Sequence, residues 1–79
     1  MDWKNHIESD ENILVGKPII KGTRLSVEHI ICLLASGWTE QQILDNYPRL
    51  SKESLQAVFA YIQDILKDGF FFNEPLKSA

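Results

Sequence analysis

A histidine and a cysteine three positions apart are the first candidates for chemistry in this sequence. His29 and Cys32 would share one face of a helix, as metal ligands or as a nucleophile with its base. A structural zinc site needs four ligands, and even with His6 added no fourth is implied. A cysteine nucleophile would also lack a third group to orient the histidine. We therefore expect no catalytic residue, no metal, no cofactor and no enzymatic activity.

The segment from residue 12 to 27 carries a local positive charge. It contains three cations and no acid, and subtracting that +3 from the net charge of −3 leaves −6 on the rest of the chain. Glycines at positions 16 and 22 allow tight turns with positive φ, and neighbouring cations can then neutralise phosphates. The predicted nucleic-acid contacts in this segment are Lys17, Lys21, Thr23 and Arg24.

The same composition also fits a purely structural hairpin. In that interpretation the two glycines serve turn geometry, and Arg24 binds a helix or a carboxylate. The block is not a Walker A loop, because that pattern places its lysine directly after the second glycine, whereas Lys17 follows the first. Whether the segment from Gly16 to Arg24 contacts phosphate, a second subunit or only its own chain therefore stays open at this point.

Glycine and proline divide the chain into an irregular front and a helical back. From residue 7 to 26 the apolar runs are short and β-branched, which predicts small strands or extended segments around turns. These runs are Ile13-Leu14-Val15, Ile19-Ile20 and Leu25-Ser26-Val27. We expect one domain over 1–79, made of a β-hairpin or arm over 7–26, a three-helix bundle over 27–68 and a tail over 69–79.

Helix caps predict the first two helices. The first follows Ser26, a good N-cap, and stops near Gly37. The second has Thr39 as its N-cap, with Gln42 three residues later completing a capping box. It must end before Pro48, because proline disfavours a helical residue before it.

The third helix has the clearest amphipathic pattern. It begins after the Ser51 cap, runs to about Lys67 and is closed by Gly69. Three helices of this length can enclose one core, so the expected fold class is mainly α. The apolar residues of the third helix recur at helical spacing, and they are Leu55, Val58, Phe59, Ile62, Ile65 and Leu66.

The second and third helices together have the layout of a helix-turn-helix. In such a unit the second helix enters the major groove, with its N-terminal residues near base edges. The side chains there that suit groove contacts are Ser51, Lys52 and Gln56. Asp64 and Asp68 make this helix acidic, so a three-helix bundle without any groove contact is the alternative.

Three consecutive phenylalanines follow the predicted end of the third helix. Phe70, Phe71 and Phe72 cannot all face the core of so small a domain, and exposed apolar clusters mark interfaces. We predict that they form a partner interface together with Trp38. The alternative is a tail folded back on the third helix, where Trp3 is a further candidate contact.

Composition favours a small soluble cytoplasmic protein. The chain has 79 residues, and so short a chain has a thin core that a second copy can help to cover, so a homodimer is expected. A single cysteine argues against a secreted disulfide scaffold. The N-terminus lacks the apolar stretch of a signal peptide, and the longest apolar run, from Ile30 to Ala35, is too short to span a membrane.

Several motifs in the chain match a known family. They are Gly16-Lys-Pro-x-Ile-x-Gly-Thr-Arg24-x-x-Val27, Leu33-Leu34-Ala35-x-Gly37, Ile43, Tyr47-Pro48-x-Leu50 and Ala60-Tyr61. Together they resemble the domain of unknown function family four-three-three, from roughly Ile7 to Ile62. Val15 departs from the pattern, since members often carry another glycine there. The resemblance implies a homeodomain-like three-helix fold with an N-terminal β-arm and a VapB-type antitoxin role beside a PIN-like ribonuclease toxin.

These observations lead to three functional hypotheses, of which the first two have the stronger support. The first is a non-enzymatic antitoxin that binds a PIN-like ribonuclease toxin and, as a dimer, its own operator DNA. The second is a free-standing helix-turn-helix DNA-binding regulator without a toxin. The third, a small enzyme or metal protein built on His29 and Cys32, has the weakest support in the sequence.

Overall fold

A two-stranded antiparallel hairpin precedes three helices in the computed structural model, which describes residues 1–68. This confirms the mainly α fold class with an N-terminal hairpin. The predicted tail over 69–79 lies outside the described residues. The elements are a 3-10 turn at Trp3–Asn5, β1 (Ile7–Ser9), a 3-10 turn at Leu14–Gly16, β2 (Pro18–Ile20), α1 (Val27–Ala35), α2 (Glu40–Asn46) and α3 (Lys52–Lys67).

The predicted N-caps of α1 and α2 are confirmed. Ser26 Oγ accepts a hydrogen bond from the His29 N–H at 2.9 Å. Thr39 Oγ1 accepts from the Gln42 N–H at 3.1 Å, and Gln42 Oε1 accepts from the Thr39 N–H at 2.8 Å. These bonds satisfy N–H groups that have no partner inside the helix, so each helix begins where its cap stands.

The end of α1 is a Schellman motif built around Gly37. This glycine has a φ of 98°, and its N–H donates to the Leu34 carbonyl at 3.0 Å. The next N–H, of Trp38, donates to the Leu33 carbonyl at 3.0 Å. The motif confirms Gly37 as the helix stop and turns the chain so that Trp38 packs, half-buried, against the core.

The hairpin is part of the core and does not project as an arm. Ile7 pairs with Ile20 across the two strands, and both are buried. On the other side of β2, Ile19 bridges Ser26. Three short helices enclose too little apolar surface alone, so the strands complete the core. The core cluster consists of Ile7, Ile20, Val27, Ile30, Ile43, Leu50, Leu55, Ala57 and Val58.

The prediction of an extended segment at Ile13-Leu14-Val15 is wrong for its last two residues. Leu14, Val15 and Gly16 form a single turn in which all three φ angles are positive, at 52°, 57° and 79°. The Ser9 hydroxyl donates to the Gly16 carbonyl and fixes this turn to the end of β1. Val15 is β-branched, which indicated a strand, but its side chain is 93% exposed. It does not pack on the face of a sheet, so nothing favours an extended backbone at this residue.

The run Leu25-Ser26-Val27 is also only partly extended. Ser26 makes one antiparallel bridge to Ile19, and Val27 already belongs to α1. Because Ser26 serves as the N-cap, its backbone is extended while its side chain starts the helix. The segment is thus the junction between the hairpin and the bundle.

Within residues 1–68, the apolar stripe of α3 is covered over only half of its length. Leu55 and Val58 are buried, whereas Phe59 and Leu66 are 45% and 53% exposed. The periodicity correctly predicted the helix, which extends to Lys67 and is capped at Asp68. It did not show that the stripe extends beyond the part that other elements within residues 1–68 cover.

The N-terminal 3-10 turn packs against α3. The Trp3 indole N–H donates to Asp64 Oδ2 at 2.6 Å. Its ring meets the Tyr61 ring edge-on, with centroids 4.8 Å apart. This contact holds the half-buried Trp3 side chain against the helix.

Candidate nucleic-acid and partner surfaces

The turn after β2 is held by the hydroxyl of Thr23. This hydroxyl donates to the Ile20 carbonyl at 2.7 Å and accepts from the Leu25 N–H at 3.0 Å. Gly22 has a φ of 79°, as the predicted turn requires. Thr23, predicted as a nucleic-acid contact, therefore has its hydroxyl engaged within the turn.

Lys17 lies apart from the other predicted cations, beside α1. Its ammonium binds Glu28 Oε1 at 2.7 Å, and both side chains are exposed. The hydrogen bond, followed by the attraction between the two charges, raises the pKa of Lys17 and lowers the pKa of Glu28. The positive charge of Lys17 is thus partly neutralised by Glu28, and Lys17 does not belong with the cations of the turn after β2.

The turn after β2 and the turn between α2 and α3 meet at a shared cleft. Arg49 Nη1 donates to the Gly22 carbonyl at 3.2 Å. Arg24 and Arg49, both exposed, line this cleft together with Thr23. Glu8 also lines it, so the cleft carries two cations and one carboxylate.

An apolar extension adjoins the two arginines. Leu25, Tyr47 and Pro48 line it together with Arg24 and Arg49. A cationic edge beside a partly aromatic floor suits a ligand that has both phosphate and ring surfaces, as nucleotides do. Lys21 is exposed in the turn after β2.

The N-terminus of α3 uses its predicted DNA-contacting serine as a cap. Ser51 Oγ accepts from the Ser54 N–H at 3.1 Å, and the Ser54 hydroxyl accepts from the Ser51 N–H at 3.3 Å. Lys52 and Gln56 are exposed and line a separate cleft against α2, where Glu40 also lies. The structure thus brings Lys52 and Gln56 together but places a carboxylate beside them.

His29 and Cys32 make different contacts. The imidazole Nε2 of His29 lies 3.2 Å from the Tyr47 hydroxyl, and the two rings meet edge-on. Cys32 is exposed and lines an apolar groove between α1 and α3. Residues 1–68 contain no group of three or more His, Cys, Asp or Glu side chains that could hold a metal ion.

The predicted partner interface is only partly within the described chain. Trp38 is half-buried and packs against the core, in the position that the Schellman motif gives it. Phe70, Phe71 and Phe72 lie outside the described residues. Within residues 1–68, the exposed apolar side chains of the helices include Phe59 and Leu66 on α3.

Helix length bears on membrane insertion. The 16 residues of α3 span about 24 Å, less than the roughly 30 Å of a bilayer core. In the described part of the chain, no helix combines the length and the apolar character needed to cross a membrane.

The chain matches known sequences over most of its length. The family model described as "Protein of unknown function (DUF433)" matches residues 7–62. The chain belongs to the DUF433 family. Over 57 residues it is 28% identical to "Uncharacterized protein y4eO" of Sinorhizobium fredii (strain NBRC 101917 / NGR234), covering 72% of this chain and 26% of that protein. The chain thus corresponds to about a quarter of that relative. No solved structure gives a significant match.

The DUF433 match confirms the resemblance found in the Gly16-to-Arg24 block. The matched region contains the hairpin, α1, α2 and most of α3. It therefore includes both arginines of the shared cleft, Arg24 and Arg49. Ile65 and Leu66, in the last turn of α3, lie beyond it.

Sequence reasoning about this DUF433 chain missed Arg49. The residue follows Pro48 in the predicted turn, so its exposure was foreseeable. Its bond to Gly22 joins residues 27 positions apart, which no local pattern indicates. The sequence did contain one indication of this residue, because Arg49 is a cation in the turn of the predicted helix-turn-helix.

Proposed function

We propose that this DUF433 chain is a non-enzymatic antitoxin that binds a PIN-like ribonuclease toxin and, as a cytoplasmic homodimer, its own operator DNA. One observation carries the nucleic-acid part of the proposal: Arg24 and Arg49 lie at one cleft, with exposed Lys21 in the adjoining turn. Guanidinium groups bind phosphate in a bidentate manner, so two of them at one cleft favour a nucleic-acid backbone as ligand.

In this proposal α2 and α3 act as a homeodomain-like helix-turn-helix. Both helices start at capping boxes, and Lys52 and Gln56 are exposed in the first turns of α3. These two side chains would approach base edges, while Arg24 and Arg49 would hold the adjacent backbone. A net charge of −3 makes a single copy a weak DNA binder, and linking two half-sites in a dimer would compensate for it.

The toxin-binding part of the proposal rests on the family resemblance and on apolar surface. Phe59 is 45% exposed on α3, and a large exposed aromatic side chain suits a protein interface. The sequence adds Trp38 as a predicted partner contact, and the surface proposed here does not require the contacts that the sequence also predicts at phenylalanines 70–72. Such contacts would block a ribonuclease by covering its surface, which requires no catalytic residue in this chain.

The test begins with affinity capture of the tagged chain from its native cells. The proposal expects a near-stoichiometric protein that cleaves RNA by itself and loses this activity when the purified chain is added at equal concentration. Phe59→Ser should weaken this inhibition, whereas Gln63→Ser, another α3 residue that is exposed, should leave it unchanged. A captured partner without ribonuclease activity, or a ribonuclease that the chain does not inhibit, would overturn the antitoxin role.

The arginine cleft also favours a second candidate, a free-standing DNA-binding regulator. The cleft would serve operator binding whether or not a toxin exists. Two measurements distinguish the candidates, namely capture of a ribonuclease partner and binding to the DNA upstream of the chain's own gene. Specific DNA binding without a ribonuclease partner supports the regulator. Absence of salt-dependent DNA binding would exclude it.

A further inference from the structure

An apolar groove lies between α1 and the C-terminal half of α3. Val27 and Ile31 of α1 form one wall, and Ile62, Ile65 and Leu66 of α3 form the other. Almost all of the surface that lines it is apolar. Within the described residues no element lies over it, and Leu66 is 53% exposed at its edge.

This groove is the part of the α3 stripe that the core does not use. The stripe is buried at Leu55 and Val58, half-buried at Ile62 and Ile65, and exposed at Leu66. Apolar surface in a small domain is normally covered by another segment or molecule. The groove therefore calls for an occupant with large apolar side chains.

The chain itself supplies such side chains next to the groove. The described part ends at Asp68, two residues after Leu66, and the sequence continues with Gly69 and the three phenylalanines 70–72. Four residues in extended form reach about 14 Å, so residue 72 can return along α3 from Asp68. The distance along the helix axis from Ile62 to Asp68 is only about 9 Å.

We propose that the phenylalanine segment, residues 70–72, occupies the groove between α1 and α3 of its own chain. Tethering favours this occupant over a second copy, because closing so short a loop costs far less entropy than association of two molecules. The chemistry of this occupant suits the groove, since residues 70–72 all carry phenyl rings and both walls consist largely of aliphatic side chains. The proposal concerns the chain by itself and depends on neither a toxin nor DNA.

The one cysteine of the chain provides a probe inside the groove. Cys32 lines the groove and is exposed in the described structure, so an overlying segment would shield its thiol. The measurement is the rate of iodoacetamide alkylation of the full chain under native conditions. In the triple variant Phe70→Ser, Phe71→Ser and Phe72→Ser, the rate should rise by about tenfold or more, because a covered thiol reacts only through an open state populated at about 10% or less.

Two further variants keep the test selective. Leu76→Ser removes an apolar tail residue beyond the cluster and should leave the rate unchanged. Leu66→Gln places a polar side chain in the wall of the groove and leaves the tail sequence unchanged. It should raise the rate of Cys32 alkylation as the triple variant does. Circular dichroism and the urea midpoint of each variant show whether the chain is folded. Faster alkylation caused by global unfolding can then be distinguished from faster alkylation caused by an uncovered groove.

The concentration dependence identifies the occupant. If the chain's own tail covers the groove, the alkylation rate of Cys32 is independent of protein concentration. Nuclear Overhauser effects should then connect the phenyl rings to the methyl groups of Ile31 and Leu66. Equal rates in the full chain and the triple variant would overturn the proposal, since the groove would then be open. A wild-type rate that falls as concentration rises would overturn it in favour of a second copy.

Discussion

Arg49 donates a hydrogen bond from Nη1 to the carbonyl oxygen of Gly22 at 3.2 Å. This bond joins the turn between α2 and α3 to the turn after β2. A guanidinium has five N–H donors, so one bond to a carbonyl fixes the group and leaves others for a ligand. Arg49 thus connects two turns of the fold, and its guanidinium is also held at the same cleft as Arg24.

The first prediction concerns the salt dependence of DNA binding. Arg24→Ala and Arg49→Ala should each weaken binding to operator DNA and reduce the slope of log affinity against log salt by about 1, as expected for one lost phosphate contact. Fluorescence anisotropy with a labelled duplex at several salt concentrations measures the slope.

Lys17→Ala is the matched control for the two arginine variants. Because its ammonium is bound to Glu28, removing it should change the slope little. An equal reduction by all three substitutions would mean that a diffuse positive charge, rather than the arginine cleft, drives binding.

The second prediction separates capping from DNA contact at Ser51. Ser51→Ala should lower the free energy of unfolding by about 1 kcal/mol, and Ser51→Asp should retain most of it, because aspartate also caps helices. Urea unfolding followed by circular dichroism measures both. Ser36→Ala, at the exposed C-terminal end of α1, should stay within about 0.5 kcal/mol of the parent. A stable Ser51→Ala that loses DNA affinity would instead show a direct contact.

The third prediction concerns the pH dependence of the Lys17–Glu28 ion pair. The pKa of Glu28 is lowered from 4.5, so its contribution to stability is complete above 4.5 and is lost as pH falls through the folded value. The pKa of Lys17 is raised from 10.5, so its contribution is complete below 10.5 and is lost as pH rises through the folded value.

Glu28→Gln measures this dependence against Glu53→Gln. Both acids lie in the first turn of a helix, but only Glu28 has an ion pair in the described part of the chain. We expect a small extra loss in the urea midpoint for Glu28→Gln between the two pKa values, because exposed ion pairs contribute little. This extra loss should vanish at acid and alkaline pH. A difference unchanged at both extremes would contradict the ion pair as its source.

The fourth prediction concerns the left-handed turn before β2. Val15 has a φ of 57° and is 93% exposed, so Val15→Gly removes backbone strain without loss of packing. Unfolding free energy should rise by about 0.5–1 kcal/mol, since the strain costs a residue with a Cβ roughly 1–2 kcal/mol and the added freedom of glycine offsets part of the gain. Val15→Ala keeps the Cβ and should gain less. Equal stability of the glycine and alanine variants would argue against a left-handed backbone at this position.

Local chemistry made the helices predictable. Ser26, Thr39 and Ser51 form their capping bonds within three residues, and Gly37 closes α1 with bonds to the preceding turn. Such interactions need only neighbouring residues, so the sequence contains all the information that determines them. The DUF433 resemblance was likewise visible in the block from Gly16 to Arg24, and the family match confirms it.

Non-local contacts account for what the sequence did not reveal. The Arg49–Gly22 bond and the Trp3–Asp64 bond join positions 27 and 61 residues apart. The turn at Val15 was misread because β-branching indicates a strand only where a sheet face can bury the side chain. The antitoxin role and the DNA contacts stay predictions, since neither the fold nor the family specifies them.

The arrangement around β2 limits how two copies of this chain can associate. β2 pairs with β1 on one side, and its other side is occupied by the bridge from Ile19 to Ser26. β1 is three residues long with exposed Glu8 at its centre, and short charged edges resist the addition of a further strand. A continuous intermolecular sheet, and the aggregation that follows from one, is therefore disfavoured, which within residues 1–68 leaves the helix surfaces for self-association.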